Sequence, residues 1–137
     1  MEAFKTMMIA WSGMRAQTGR MKIIAENLAN ADSTGATPSD MPYQRQIPTF
    51  KDHVDRDLGV DLVEMGKTVK DRSQFKLRYD PSHPAADKTG YVKLPNVDPL
   101  VESMDMREAM RAYQANLDVI EASKSMIAKT LDLLRKT

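Results

Sequence analysis

The sequence lacks cysteine, so it has neither a disulfide framework nor a thiolate metal site or thiol nucleophile. It contains 20 lysines and arginines against 19 aspartates and glutamates, and its formal net charge is +1. Since no basic excess is available to neutralise phosphates, we do not expect nucleic acid as a partner. The six glycines are scattered and form no phosphate-binding loop, and nothing indicates a cofactor or a small-molecule substrate.

Long hydrophobic runs are also missing. No stretch approaches the roughly 18 consecutive apolar residues that a membrane-spanning helix requires. The N-terminus differs from a secretory signal, because Glu2 stands where basic residues are expected and Arg15, Arg20 and Lys22 interrupt the apolar positions early. We therefore expect a soluble protein that either stays in the cytosol or is exported without a cleaved signal peptide.

The C-terminal 40 residues carry a helical pattern. Apolar residues from Met106 to Leu134 recur at alternating spacings of four and three, with Lys124 as the one polar interruption. Asp98 can cap such a helix, and Pro99 suits its first position, where no amide hydrogen is needed. About 38 residues at about 1.5 Å each would reach nearly 60 Å. A helix this long must bury its apolar stripe against partners.

A matching pattern occupies residues 2–31. Apolar residues from Phe4 to Leu28 follow the same spacing, again with one polar member, Thr18. Gly13 and Gly19 each lower helix propensity by about 1 kcal/mol relative to alanine, so this helix needs a packing partner to persist. Basic side chains at its flanks would also suit a helix lying on a membrane, but the narrow stripe favours helix–helix packing.

The segment between the helices has only weak strand patterns. Turn-forming residues follow the first helix, and an extended loop is predicted as far as Gly59. The strand-like runs are Val60–Val63, Thr68–Val69, Phe75–Tyr79 and Tyr91–Pro95, with a turn at Asp87–Gly90. The predicted fold is therefore mainly α, with long N- and C-terminal helices packed as a coiled-coil-like pair around an extended loop and a small β-hairpin or sheet insert. The predicted division is 1–31, 32–97 and 98–137, and it leaves the relative direction of the helices open.

One cluster of residues invites an enzymatic interpretation. Asp80, His83 and Asp87 lie within eight residues, and Ser82 adds a hydroxyl. Pro81 and Pro84 prevent a helix that would place these groups on one face. Turn formation explains the spacing better, so no catalytic, cofactor-binding or metal residues are predicted.

Small residues surround the apolar stripe of the C-terminal helix. They are Ala109, Ala112, Ala115, Asn116, Ala122, Ser123, Ser125, Ala128 and Thr130. Small side chains let neighbouring backbones approach from several directions, whereas a two-stranded coiled coil usually carries charges beside its seam. This pattern favours packing among several helices, although alanines that simply promote a solvent-exposed helix remain the alternative.

Motifs in both terminal segments point to a family. They are Ser-Gly-Met-Arg-Ala-Gln at 12–17, Ile-Ala-Glu-Asn-Leu-Ala-Asn at 24–30, Ala-Asn-Ala-Asp-Ser-Thr-Gly at 29–35, Tyr-Asp-Pro-Ser-His-Pro at 79–84, Gly-Tyr-Val at 90–92, Pro-Asn-Val-Asp-Pro at 95–99, Arg-Ala-Tyr-Gln-Ala-Asn at 111–116 and Lys-Ser-Met at 124–126. Together they resemble the axial proteins of the bacterial flagellum, and within these the rod proteins of the basal body of the proximal-rod type. Ser33 stands at a threonine position of the family pattern, and Ala36 replaces the usual aromatic residue.

The resemblance implies a structural protein with no catalytic activity. Similar proteins pass unfolded through the flagellar type III export apparatus and assemble in the periplasm into a helical tube that transmits torque. The implied partners are other copies, sibling rod proteins, and inner-membrane ring, export-gate and distal-rod components at the ends of the proximal rod. A cytosolic coiled-coil adaptor is the alternative.

The expected interface residues lie on the two helices. They are Met7, Trp11, Met14, Met21, Ile24, Leu28 and Asn30 in the N-terminal segment, and Met110, Tyr113, Asn116, Leu117, Ile120, Ile127, Leu131 and Leu134 in the C-terminal segment. Asn27, Asn30 and Asn116 are expected to satisfy polar partners where helices meet loops.

Overall fold

The computed structural model describes residues 2–137, and Met1, the first residue of the predicted N-terminal segment, lies outside them. Two long helices, α1 (Glu2–Ala29) and α2 (Pro99–Arg135), enclose six short strands along the chain. The strands pair into three separate two-stranded antiparallel sheets. The predicted fold class, a mainly α protein with long terminal helices and a small β insert, is confirmed.

Local hydrogen bonds explain where both helices begin or end. The Asp98 carboxylate accepts the N–H of Leu100 at 3.0 Å, and the Asp98 carbonyl accepts the N–H of Glu102 at 3.0 Å, so the predicted cap of α2 forms. At the end of α1, the backbone N–H and the side-chain amide of Asn30 both donate to the carbonyl of Glu26. These two bonds satisfy a carbonyl that would otherwise have no partner at the helix terminus.

The strands form hairpins and one long-range pair. They are β1 (Gln46–Ile47) with β4 (Val69–Lys70), β2 (Phe50–Asp55) with β3 (Val60–Met65), and β5 (Lys76–Tyr79) with β6 (Tyr91–Leu94). The loop predicted to run to Gly59 is therefore wrong for β1 and β2. Asp52 and Asp55 hide the alternation of β2, which forms because β3 offers it a complete antiparallel partner across a turn where Gly59 takes a φ of +64°.

The structure divides into two compact units, each containing part of both helices. The first unit comprises the chain up to Met21, Thr49–Lys67 and Arg107–Thr137. The second comprises Lys22–Pro48 and Thr68–Met106. The β2–β3 hairpin belongs to the first unit, and the other two strand pairs belong to the second.

In the first unit the helices run antiparallel, which settles the direction that the sequence left open. Gly13 lies against Asn116, since a Cβ on Gly13 would come within 2.7 Å of the Asn116 amide nitrogen. Seven residues further along α1, the Arg20 guanidinium is 3.5 Å from the carboxylate of Glu108, eight residues earlier in α2. The hairpin packs on the same helix, where the N–H of Val63 donates to the Ser12 hydroxyl at 3.2 Å.

The second unit contains the larger buried side chains. Ile24, Val92 and Val97 are almost fully buried, together with the polar side chains of Asn27 and Glu102. The turn between its β5 and β6 strands forms as predicted, because the Asp87 carboxylate accepts the N–H of Thr89 at 2.8 Å and Gly90 takes a φ of +88°. This unit thus has a core of mixed apolar and polar residues.

Candidate subunit interface

Small residues occupy the buried positions of the first unit. Its buried residues are Ala10, Ser12, Ala16, Ala109 and Ser123, all of them alanine or serine. Glycine at position 13 lets α2 approach so closely that the Asn116 side chain fills the space of a missing Cβ. The large apolar side chains of Trp11 and Met110 lie outside these buried positions and are exposed.

The predicted interface residues of the N-terminal segment differ in their exposure. Ile24 is buried within the second unit, and Trp11 is exposed at 47% of its surface. The others are half-buried: Met7, Met14, Met21, Leu28 and Asn30. One polar member, Asn30, bonds to the end of its own helix as predicted.

The predicted residues of α2 lie within the first unit and differ in their exposure. Tyr113, Asn116, Leu117 and Ile120 are half-buried, whereas Met110 is exposed. Asn116 lies in the middle of α2 and donates to the carbonyl of Ala112 at 3.1 Å, so the prediction that it meets a polar partner at a helix–loop junction is wrong. Beyond these, the last three predicted residues are exposed: Ile127, Leu131 and Leu134.

An open groove of about 260 Å³ brings together three of the predicted residues. Trp11, Met14 and Tyr113 line it, with Arg15 and Thr18 at its sides. The Arg15 guanidinium lies 4.9 Å from the centre of a Trp11 ring, which favours a fixed indole orientation through a cation–π contact. A groove of this size suits one or two apolar side chains of a neighbouring helix.

A buried polar cluster in the second unit escaped the sequence analysis. The Glu102 carboxylate, fully buried, forms an ion pair with the Arg45 guanidinium and accepts from the Asn27 amide at 3.2 Å. The oxygen of Asn27 accepts from the Tyr43 hydroxyl at 2.7 Å and from the N–H of Gln46 at 3.0 Å. This cluster anchors the segment before β1 to the end of α1 and the start of α2.

Burial and the neighbouring charges shift the pKa values of Tyr43 and Arg45 in this cluster. Burial raises the pKa of Tyr43, and the neighbouring carboxylates of Glu26 and Glu102 raise it further. Burial opposes the charge of Arg45, but the hydrogen bonds and charges of Glu102 and then Asp71 together outweigh it and raise the pKa of Arg45. The sequence carried one signal for this cluster, since Glu102 continues the apolar stripe of α2 four residues before Met106.

The region around His83 serves turn structure. The Nδ1 atom of His83 accepts the N–H of Ala85 at 3.0 Å, and its Nε2 atom lies 3.3 Å from the Thr34 hydroxyl. The Ser82 hydroxyl donates to Asp80 at 2.8 Å and is not paired with the imidazole. Within residues 2–137, no group of three potential metal ligands is found. The bonds of this region tie the 80–87 turn to the segment after α1.

Among the helices of the described chain, none combines the length and the hydrophobicity that crossing a membrane requires. The sequence matches two family models, one for the flagella basal body rod protein at residues 7–37 and one for the C-terminal region of flagellar basal body rod FlgEFG proteins at residues 88–133. The two matches cover the terminal helices, which defines the class of protein as a flagellar basal-body rod protein.

Comparison with individual relatives shows which rod protein family within this class the chain resembles. The chain is 49% identical to the flagellar basal-body rod protein FlgC of Agrobacterium fabrum over 93% of its own length and 91% of the relative. It is 39% identical to FlgC of Borreliella burgdorferi over 98% and 99% of the two chains, and 39% identical to FlgC of Salmonella typhimurium over 91% and 92%. The chain therefore belongs to the FlgC family of flagellar basal-body rod proteins, and the coiled-coil adaptor alternative is not favoured.

Proposed function

We propose that this protein is a structural subunit of the proximal rod, in which its copies and related rod proteins assemble into a helical tube that transmits motor torque. Membership of the FlgC family makes it a rod component of the flagellar basal body, and the rod lies in the periplasmic space. In this proposal the protein catalyses no reaction. Its three sequence segments, 1–31, 32–97 and 98–137, then supply one rod-core helix, an insert and a second rod-core helix.

The observation that carries the proposal is the packing of the first unit. Its buried residues are all small, whereas Trp11, Met110, Leu131 and Leu134 remain exposed on the two helices. Each exposed apolar side chain of this size that becomes buried contributes about 1.5–3 kcal/mol. A single copy leaves this stabilisation unused, and assembly with neighbouring helices would recover it.

The proposed partners follow from the same surfaces. Other copies of the chain and sibling rod proteins would pack against the helices, with inner-membrane ring, export-gate and distal-rod components at the ends of the proximal rod. The predicted interface residues other than Ile24, which is buried within its own copy, are the proposed contacts within the tube. The open groove lined by Trp11, Met14 and Tyr113 would receive apolar side chains from an adjacent helix.

Replacing Leu131 by aspartate tests the proposal. Because Leu131 is 55% exposed, the substitution should leave the stability of the isolated chain within about 0.5 kcal/mol. In an assembled rod, an unpaired buried charge costs several kcal/mol, so the variant should be exported but absent from purified basal bodies. Immunoblots of basal bodies and motility in soft agar measure this outcome in a strain that lacks its own copy of the gene.

The matched control is Leu133→Asp, because Leu133 is 67% exposed and lies two residues, or about 200°, around the helix from Leu131. The control should be incorporated more strongly than Leu131→Asp. Motile cells with Leu131→Asp in their basal bodies at the wild-type level would contradict the proposed role of this stripe. Absence of the unmodified chain from basal bodies would contradict the proposed function itself.

A further inference from the structure

The C-terminal end of α2 extends beyond its intramolecular partner. Since Gly13 faces Asn116 in an antiparallel pair, Glu2 at the described start of α1 lies level with about residue 127 of α2. The remaining eight or so helical residues continue for about 12 Å with no part of α1 beside them. All residues from Lys124 onward are exposed. We call residues 124–137 the α2 tip.

The α2 tip combines an apolar stripe with positive charge. Ile127, Leu131 and Leu134 are spaced by four and three and so share one face of the helix. Two basic residues lie on the same side of the helix along its axis: Lys124 is seven residues before Leu131, and Arg135 is four residues after it. The tip contains four basic residues and one acidic residue in a chain whose net charge is only +1. Lys124, the polar interruption of the stripe, therefore marks one border of a basic apolar surface.

The β2–β3 hairpin presents the complementary surface. Phe50, Asp52 and Val54 alternate along β2 and share one face, and Asp61 lies directly opposite Val54 on β3. All four are exposed, and we call them the hairpin patch. Residues 50–65 contain five carboxylates against two lysine or arginine side chains.

The two acids of the patch differ from the carboxylate on the other face of the hairpin. Glu64 lies 3.1 Å from the ammonium of Lys51, so its charge is partnered within the hairpin. Within residues 2–137, neither Asp52 nor Asp61 has a basic side chain within ion-pair distance. Asp52 lies between Phe50 and Val54, and Asp61 lies beside Val54, so the patch combines two unpaired acids with exposed apolar side chains. Its charge is opposite to that of the two basic residues along the apolar face of the α2 tip.

The tip cannot reach the patch of its own copy. The hairpin contacts α1 at Ser12 and Gly19, whereas the tip begins beside the first turn of α1 and continues past Glu2, at the other end of that segment. Along the helix axis the centres of the two surfaces are about 26 Å apart, at about 1.5 Å per residue. A second copy displaced by this distance along the helix would place its tip beside the patch. Such a contact is heterologous, and its repetition gives an open array.

We propose that the α2 tip of one copy docks on the hairpin patch of the next copy, with Lys124 and Arg135 facing Asp52 and Asp61. This inference rests on the proposed rod function and names the surfaces through which identical copies would join. Apolar contacts between Leu131 and Val54 supply the burial, and the flanking charges fix the orientation. The partner is a second copy of this chain, since both complementary surfaces are present on the same molecule.

Disulfide cross-linking in intact basal bodies tests the contact, because the chain has no cysteine of its own. The Leu131→Cys, Val54→Cys double variant should form a ladder of dimers, trimers and higher species on oxidation, since every copy carries both surfaces. A disulfide requires Cα atoms roughly 4.4–6.8 Å apart, so random proximity does not suffice. The matched control is Leu133→Cys with Val54→Cys, which places the thiol on another face of α2 and should give no ladder.

Charge reversal gives a second measurement that does not depend on cysteine geometry. Lys124→Glu should reduce incorporation into basal bodies roughly five-fold, and adding Asp61→Lys should restore it. Lys129→Glu, with the same change of charge two residues from Leu131 and hence on the far side of the stripe, should have little effect.

The outcomes separate this inference from the proposed function. If the unmodified chain is absent from basal bodies, the proposed function fails and the inference fails with it. If the chain is incorporated but oxidation gives no ladder, or the same ladder as the control, the inference alone is overturned. A cross-linked product with a different rod protein also overturns it. If the double-cysteine variant is not incorporated, equal effects of Lys124→Glu and Lys129→Glu overturn it.

Discussion

The two compact units bury different kinds of residues. In the first unit every buried residue is an alanine or a serine. In the second unit the buried residues include Ile24, Val92 and Val97, together with the paired charge of Glu102. The second unit thus buries large apolar side chains and a paired charge, whereas the first unit buries only small residues. Both units also expose large apolar side chains, such as Leu100 in the second and Leu131 in the first. A sequence can therefore divide the tasks of folding and assembly between different parts of the same two helices.

The largest expected effect comes from removing the buried carboxylate of the second unit. Glu102→Ala removes the closest carboxylate partner of the Arg45 guanidinium and one of the two acceptors of the Asn27 amide, and should lower the free energy of unfolding by about 3–5 kcal/mol. Urea unfolding of the purified chain, followed by circular dichroism, measures the change. Glu108→Ala is the control, because that carboxylate is exposed and its pair with Arg20 contributes at most about 1 kcal/mol. If the two substitutions lower the free energy of unfolding equally, the buried carboxylate of the second unit contributes no more to stability than the exposed carboxylate of the first.

A smaller effect is expected from overfilling the helix contact of the first unit. Ala109 is fully buried, so Ala109→Leu forces α1 and α2 apart and should lower the free energy of unfolding by about 1–3 kcal/mol. Ala115→Leu, at an exposed position of α2, should stay within about 0.5 kcal/mol of the parent chain. The same urea titration measures both. A stabilised Ala109→Leu variant would show that the close approach of the helices is not required.

The smallest effect concerns pH. The backbone N–H of Ser73, together with its side chain and the Arg45 guanidinium, lowers the pKa of Asp71 below its ordinary value near 3.8. Since the unfolded chain binds this proton more readily, the contribution of Asp71 to stability is complete above that ordinary value and is lost as the pH falls through the folded-state pKa. Asp71→Asn should flatten the fall in stability below about pH 4, by at most about 1 kcal/mol.

Unfolding curves between pH 3 and pH 6 measure this difference in slope. The control is Asp132→Asn, which alters an exposed carboxylate on α2 and should leave the slope of the parent chain unchanged. If Asp71→Asn and the parent chain lose stability in parallel below pH 4, the side chain of Asp71 does not stabilise the second unit.

Features encoded by neighbouring residues were predictable from the sequence. The spacing of apolar residues predicted both long helices, Asp98 and Pro99 predicted the start of α2, and Asp87 and Gly90 predicted the turn before β6. Strand β2 was not predictable, because Asp52 interrupts its apolar face and only pairing with β3 makes the segment extended. The family resemblance rested on motifs, and the relatives bear it out.

Features that join distant residues were beyond the sequence patterns. The antiparallel direction depends on the meeting of Gly13 with Asn116, and the buried cluster joins Arg45 to Glu102, 57 residues later. Neither pairing leaves a periodic signal, because each is formed by single residues on separate elements. The interface residues of the two helices remain predictions, to be tested by incorporation into basal bodies.

The antiparallel pairing of Gly13 with Asn116 also bears on the order of folding. The first unit closes a loop of about a hundred residues, which is slow because the entropy of closure is lost before any helix contact forms. Its two partners lie near opposite ends of the chain, so a chain emerging from the ribosome or from a narrow channel holds one helix without the other until almost its whole length is free. The helix pair that carries the proposed assembly surface is therefore completed late in folding.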